Sequence, residues 1–151
     1  MLELATLSDL PAINRLSSQV INLHSNWRPD LFQSAEESYG PELLAEMIRE
    51  KNIFVAKLEG VVVGYTAFWI WDTRGVCFVP RKVMSISDFC VDEYILGHGI
   101  GTQMMKELRA LAAAFGCTDM ELTVYPQNDA AVAFYQKCGF TIKTIDMQRK
   151  V

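Results

Sequence analysis

Gly97, Gly99 and Gly101 alternate within Tyr94-Ile95-Leu96-Gly97-His98-Gly99-Ile100-Gly101, between a strand-like run and a helical pattern. Residues of this type at this spacing can bind an anion. Glycine lets successive backbone N–H groups turn inward with no Cβ in the way. A helix start just beyond adds unpaired N–H donors and the positive end of the helix dipole. The loop is a candidate cradle for the phosphates of a nucleotide or coenzyme.

Such a loop needs a strand and a helix to hold it, and the hydrophobic pattern supplies both. Lys82 to Val91 reads as a strand. Ile100, Met104, Leu108, Leu111 and Phe115 recur at helical spacing, and Gly116 marks the end of that helix. Upstream, Leu2 to Leu7 reads as a strand, and Ser8 as the N-cap of a helix with Asp9 and Pro11 in its first turn. Ile13, Leu16, Val20 and Leu23 continue that helix, and Trp27 to Tyr39 reads as a loop or broken helix. Pro41 to Lys51 predicts a second helix. Ile53 to Leu58, Glu59-Gly60 and Val61 to Trp71 predict a β-hairpin, followed by a loop over Asp72 to Pro80. Met120, Leu122 and Val124 alternate as a strand, Asn128 caps a short helix ending at Gly139, and Phe140 to Val151 reads as one or two strands. The predicted order is β-α-α-β-β-β-α-β-α-β. A hairpin gives antiparallel pairs, and strand–helix–strand crossovers give parallel ones, so the expected fold is α/β with a mixed central sheet.

The 151 residues fit one domain, 1–151, with 50% hydrophobic and 21% charged residues. A net charge of −4 and the lack of a basic cluster argue against nucleic acid. No apolar run approaches the ~20 residues that span a bilayer, so no membrane association is expected. Met1-Leu2-Glu3 opens into strand-like alternation without a leader pattern. Cys77, Cys90, Cys117 and Cys138 are scattered, with no C-x-x-C pair. They are expected to be reduced thiols in a cytoplasmic protein, with no metal site.

Two familiar phosphate loops fail on spacing. A P-loop needs Lys-Ser/Thr after its last glycine, where this chain has Thr102-Gln103. A Rossmann fingerprint needs the third glycine three residues after the second, whereas here it follows after two. The loop instead resembles the Arg/Gln-x-x-Gly-x-Gly/Ala pyrophosphate loop of the GNAT N-acetyltransferases, with Leu96 where that family usually has Arg or Gln. Asn128-Asp129-Ala130-Ala131-Val132-Ala133-Phe134-Tyr135-Gln136-Lys137-Cys138-Gly139-Phe140 is similar to a second GNAT pattern, Asn-x-x-Ala-x-x-x-Tyr-x-x-x-Gly-Phe. The resemblance covers Ile86 to Phe140. It implies a largely antiparallel sheet with a splayed parallel strand pair and helices on both faces.

The resemblance further implies acetyl-CoA as co-substrate, bound between two parallel strands that splay apart, here Lys82–Val91 and Met120–Tyr125. The backbone of Phe89, Cys90 and Val91 would pair with pantetheine, and the Val91 N–H would meet the thioester carbonyl. The amides of Gly97, His98, Gly99, Ile100, Gly101 and Thr102 would hold the pyrophosphate, and Asn128, Ala131 and Tyr135 would border the pantetheine arm. Leu96 leaves the phosphates to backbone donors alone, so weaker coenzyme binding is expected. Tyr135 is the candidate proton or hydrogen-bond donor to the leaving sulfur. An amine must be neutral to attack, and Asp88 and His24 are the leading candidates to take its proton, with Glu121 a third, acting through water. His98 is expected to face solvent or phosphate.

Trp27, Phe32, Tyr39, Tyr65, Trp69 and Trp71 crowd the first half. Most fit a core, and a few fit an aromatic pocket for a small amine whose cation Asp30, Glu36 or Glu37 would bind. The expected reaction is direct acetyl transfer to a primary amine of a small molecule or peptide. The alternatives are a ping-pong route through Cys90, a non-catalytic acyl-CoA sensor, and a structural subunit of a larger complex. A last strand shared with a neighbouring subunit would make a homodimer.

Overall fold

The computed structural model describes residues 1–151. Five strands form one sheet in the order β1-β2-β3-β4-β5, each beside its neighbour in the chain. They are β1 (Leu2–Leu4), β2 (Ile53–Leu58), β3 (Val61–Asp72), β4 (Lys82–Val91) and β5 (Asp119–Leu122). The first three pairings are antiparallel, and β4–β5 is parallel. Helices α1 (Leu10–Trp27) and α2 (Pro41–Arg49) cover one face, where Ile13, Leu16, Leu44 and Met47 pack with Tyr65 and Ala67. Helices α3 (Ile100–Ala114) and α4 (Asp129–Lys137) cover the other, where Met105 and Leu108 pack with Phe68, Met84 and Ile86 and the rings of Phe134 and Tyr135 join them. Helices on both faces of a mixed sheet agree with the expected class.

The sequence explains the element ends. Asp9 Oδ2 accepts from the Thr6 N–H and from the Thr6 hydroxyl, each at 2.8 Å, closing a capping box. Thr6 caps a short 3-10 turn over Leu7–Asp9, Asp9 rather than Ser8 is the N-cap of α1, and β1 ends at Leu4 rather than Leu7 because this turn begins soon after it. Pro41 at the first helical position starts α2, where its missing N–H costs nothing. Gly64 on β3 packs against Met104 of α3 and the Cys90 backbone of β4. A Cβ there would lie 2.7 Å from the Cys90 carbonyl oxygen and 2.8 Å from Met104 Sδ, so no larger residue fits.

Two expected strands change in the structure. The run Met120–Tyr125 is strand only over Asp119–Leu122, since its partner β4 leaves it there. Phe140–Val151 forms no strand, and residues 141–151 make no backbone–backbone hydrogen bond. Alternation alone cannot make a strand without a paired edge. Ile142, Ile145 and Met147 are exposed along this segment, and Lys143 pairs with Glu121 of β5.

Candidate active site

The site begins where β4 and β5 part. Their ladder runs from Val83↔Asp119 to Ile86↔Leu122 and stops, although β4 continues to Val91. At this point β4 carries a bulge. Ala67 of β3 opposes Asp88 and Phe68 opposes Ile86, so Ser87 has no partner. A bulge bends and twists its strand. Beyond it, residues 88–91 make no ladder pairing with β5, which leaves a gap between the two chain segments.

The gap exposes backbone donors. The Asp92 N–H is given to the Val63 carbonyl on β3 at 2.9 Å. N–H directions alternate along an antiparallel strand, so the Val91 N–H points the other way, into the gap. The glycine loop lies just beyond. Gly97 and Gly99 have φ of 83° and 79°, the left-handed region that favours glycine. A Cβ at either would meet nothing within 4 Å, so the loop is open on that side. None of the N–H groups from Gly97 to Thr102 donates to a backbone carbonyl; the first such bond of α3 is Gln103 to Gly99. Loop and first turn thus hold a run of free donors at a helix N-terminus, the physical requirement for a phosphate site. These free N–H groups and the gap fit a phosphorylated, amide-bearing coenzyme. The Leu96 side chain is 61% exposed and adds no polar group. His98 is exposed, and its Nδ1 lies 3.2 Å from the Ile95 and Leu96 carbonyls, so it ties the loop to itself.

On the α3–α4 side, Phe89, Phe134, Tyr135 and Phe140 form a chain of rings with centroids 5.3 to 6.2 Å apart. Burial pushes the Tyr135 phenol up to about 12, with further help from Cys90. Its hydroxyl makes no hydrogen bond within the chain. Asn128 Oδ1 accepts from the Ala131 N–H at 3.1 Å, which fixes the start of α4 and leaves the Asn128 amide N–H₂ free.

On the α1–α2 side, Asp88 is held by two phenols. Tyr39 donates to Oδ2 at 2.9 Å and Tyr65 to Oδ1 at 3.1 Å. Burial, and then the Asp88 charge, raise both phenols well above the usual tyrosine range. Asn14 on α1 grips the Tyr39 backbone from both ends: Oδ1 accepts its N–H at 2.9 Å and Nδ2 donates to its carbonyl at 3.0 Å. His24 stacks among Trp27, Phe32 and Tyr125 at 5.1 to 5.9 Å. Burial lowers its imidazole below the ordinary value and the nearby Asp88 charge partly opposes this, so His24 is neutral at pH 7. Cys90 lies below, its thiol donating to the Leu16 carbonyl at 3.4 Å and raised to about 12 by burial and Asp88. A thiol so raised is a poor nucleophile.

The structure thus gathers Asp88, His24 and Tyr135 with Phe89–Val91 and the glycine loop around one gap. It does not bring Asp30 in as a free carboxylate. Arg28 Nε and Nη2 bind both Asp30 oxygens at 2.9 and 2.8 Å. Trp69 and Trp71 are 49% and 39% exposed and form no pocket with Tyr65. Asn14, Tyr125, and the grip of Tyr39 and Tyr65 on Asp88 had no sequence signal. A separate concavity of about 190 Å³, bordered by Asn52, Trp69 and Phe115, lies at the other end of α3.

The sequence pattern of the Acetyltransferase (GNAT) family matches residues 19–140. The chain belongs to this family. This GNAT chain is 31% identical over 99 residues to "Uncharacterized N-acetyltransferase MJ1207" of Methanocaldococcus jannaschii, a stretch covering 64% of this chain and 42% of that protein. It is 31% identical over 80 residues to "Probable glucosamine 6-phosphate N-acetyltransferase 2" of Oryza sativa subsp. japonica, covering 48% and 46%. The chain spans about half or less of the length of these two relatives. Among solved structures, a mutant of the BH1408 protein from Bacillus halodurans superimposes with a TM-score of 0.94 at 28% identity, over 100% of this chain and 99% of that one. An aminoglycoside acetyltransferase from an uncultured soil metagenomic sample shares the fold, with a TM-score of 0.71 at 16% identity over 100% and 97%.

Proposed function

We propose that the chain is an acetyl-CoA-dependent N-acetyltransferase acting directly on a primary amine of a small molecule or peptide. The observation that carries this reading is the gap itself: a free Val91 N–H, a phosphate cradle, and Tyr135 and His24 on its two sides. Acetyl-CoA, when bound, supplies an activated acyl thioester. The donors from Gly97 to Thr102 would hold its phosphates, and the backbone of residues 89–91 its amide-bearing arm. The Val91 N–H would stabilise the negative charge that grows on the carbonyl oxygen. His24 would take the proton of the incoming ammonium, with Asp88 favouring the imidazolium that results. Tyr135 would hydrogen-bond to the departing sulfur. With its pKa near 12 against ~8.5 for a thiol, it would keep its proton and stabilise the thiolate rather than protonate it.

Free-thiol release from acetyl-CoA, followed over a panel of amines, tests this reading. Coenzyme binding without turnover on any amine would instead favour the acyl-CoA sensor, the reading that the apolar Leu96 supports. The exposed segment 141–151 beside the open edge of β5 supports a homodimer that exchanges this segment, which light scattering would test. One domain over 1–151 and a cytoplasmic location, the latter supported by four free cysteines, complete the proposal. No helix is long and apolar enough to cross a membrane.

A further inference from the structure

His24, Phe32 and Tyr125 form a triangle of rings with centroids 5.1 to 5.4 Å apart, and Trp27 meets His24 at 5.9 Å. They come from the end of α1, the loop after it and the segment after β5. All four are half-buried, unlike the core rings of Tyr65 and Phe68, which are 1% and 0% exposed. The triangle is therefore a wall with open faces. It stands on the Asp88 side of the gap, close enough for the Asp88 charge to act on His24.

The charges around this wall narrow what it can bind. Arg28 is committed to Asp30 through two hydrogen bonds, and Lys150 adds its charge to the same carboxylate. A phosphate at the wall would have to compete with Asp30 for these cations. Asp88 is the carboxylate whose charge acts on His24, and its two oxygens already accept from Tyr39 and Tyr65. A ligand with several ammonium groups would leave most of them unpaired there. A single ammonium on a flat apolar body meets what the wall offers: aromatic faces, one negative charge and a neutral imidazole.

We propose that the acceptor is a monoamine with an aromatic or similarly flat apolar body, seated on the His24–Phe32–Tyr125 wall with its ammonium toward Asp88. This rests on the acetyltransferase reading. The ammonium gives one proton to His24, and its nitrogen forms a bond to the acyl carbon. The carbon–sulfur bond breaks and its electron pair leaves with sulfur. The second proton lost as the amide forms returns to solvent, the proton held by His24 passes to the departing thiolate, and the products are the N-acetyl amide and the coenzyme thiol.

The test measures thiol release with acetyl-CoA and three probes: phenethylamine, glucosamine 6-phosphate and sisomicin. The expected kcat/KM for phenethylamine exceeds the other two by at least ~10-fold. Tyr125→Ala and Phe32→Ala should each raise the phenethylamine KM ~10-fold. Tyr125→Phe, which keeps the ring, should restore it. The acetyl-CoA Kd, read by calorimetry, should change by less than about twofold in all three variants. Preferred turnover of the sugar phosphate or of sisomicin would overturn the acceptor class and leave the acetyltransferase intact. Tight acetyl-CoA binding with no turnover of any probe, and no calorimetric binding of phenethylamine to the CoA complex, would overturn both readings. So would failure of acetyl-CoA to bind.

Discussion

The coenzyme side of the gap is made of backbone, and the acceptor side is made of side chains. Toward α3 and α4, the free donors are N–H groups of Val91 and of Gly97 to Thr102, all within a dozen residues. Toward α1 and α2, the working groups are His24, Phe32, Tyr39, Tyr65, Asp88 and Tyr125, spread over a hundred residues. Backbone donors need only glycines and a helix start, which tolerate change elsewhere. A side-chain site depends on several elements packing together, and each residue in it can vary with the acceptor. One half can thus serve a shared coenzyme while the other is remade for each substrate.

That contrast can be broken by mutation. The largest effect is expected at His24. His24→Gln should lower kcat/KM about 100-fold at pH 7, as loss of a general base does. Its pH profile adds a sharper sign. Because burial holds His24 below its ordinary value, the neutral imidazole persists above pH ~6.5, and activity should fall only as pH drops through the lowered pKa. The Gln variant should lose this acid limb. A retained limb would move the base elsewhere, with Asp88 first in line.

Next is Gly64→Ala, which presses a methyl on the Cys90 carbonyl and Met104. It should cost about 2 kcal/mol of stability, seen as a lower urea midpoint, and should weaken acetyl-CoA binding by displacing β4. Tyr135→Phe comes third: kcat should fall ~10-fold with the acetyl-CoA Kd unchanged. Wild-type turnover would remove the phenol from the reaction. The smallest change is expected from Leu96→Arg. It should lower the KM for acetyl-CoA about threefold by adding one exposed cation to a site that relies on amides. An unchanged KM would mean that phosphate does not reach residue 96.

The same contrast governs what the chain discloses before it folds. α3 can be read from its helical period over fifteen residues, and the hairpin from the Glu59-Gly60 turn between two β-prone runs. The coenzyme loop and the Asn128 cap are contiguous motifs whose chemistry is local. The acceptor side has no such contiguity. Tyr125 follows β5 with no periodic neighbours, and its meeting with His24 across a hundred residues is a product of packing. Asp30 misleads as an acceptor carboxylate because a guanidinium two residues away claims it. Phe140, Ile142, Ile145 and Met147 make the last run read as a strand, yet strand identity lies in the neighbour that pairs with it.

Ser87 has a consequence beyond bending β4. Side chains along a strand alternate between two faces, so position is a matter of odd or even count. Met84 and Ile86 point toward α3, and an uninterrupted strand would send Asp88 and Cys90 there as well. The unpaired residue shifts the count by one. Asp88 therefore reaches Tyr39 and Tyr65 on the acceptor face, while Phe89 joins Phe134 on the coenzyme face. A single serine acts as a parity bit for the whole site. Pairing Ser87 into the ladder would exchange the carboxylate and the aromatic ring between the two substrates, whereas deleting it would straighten β4 and keep both on their present faces.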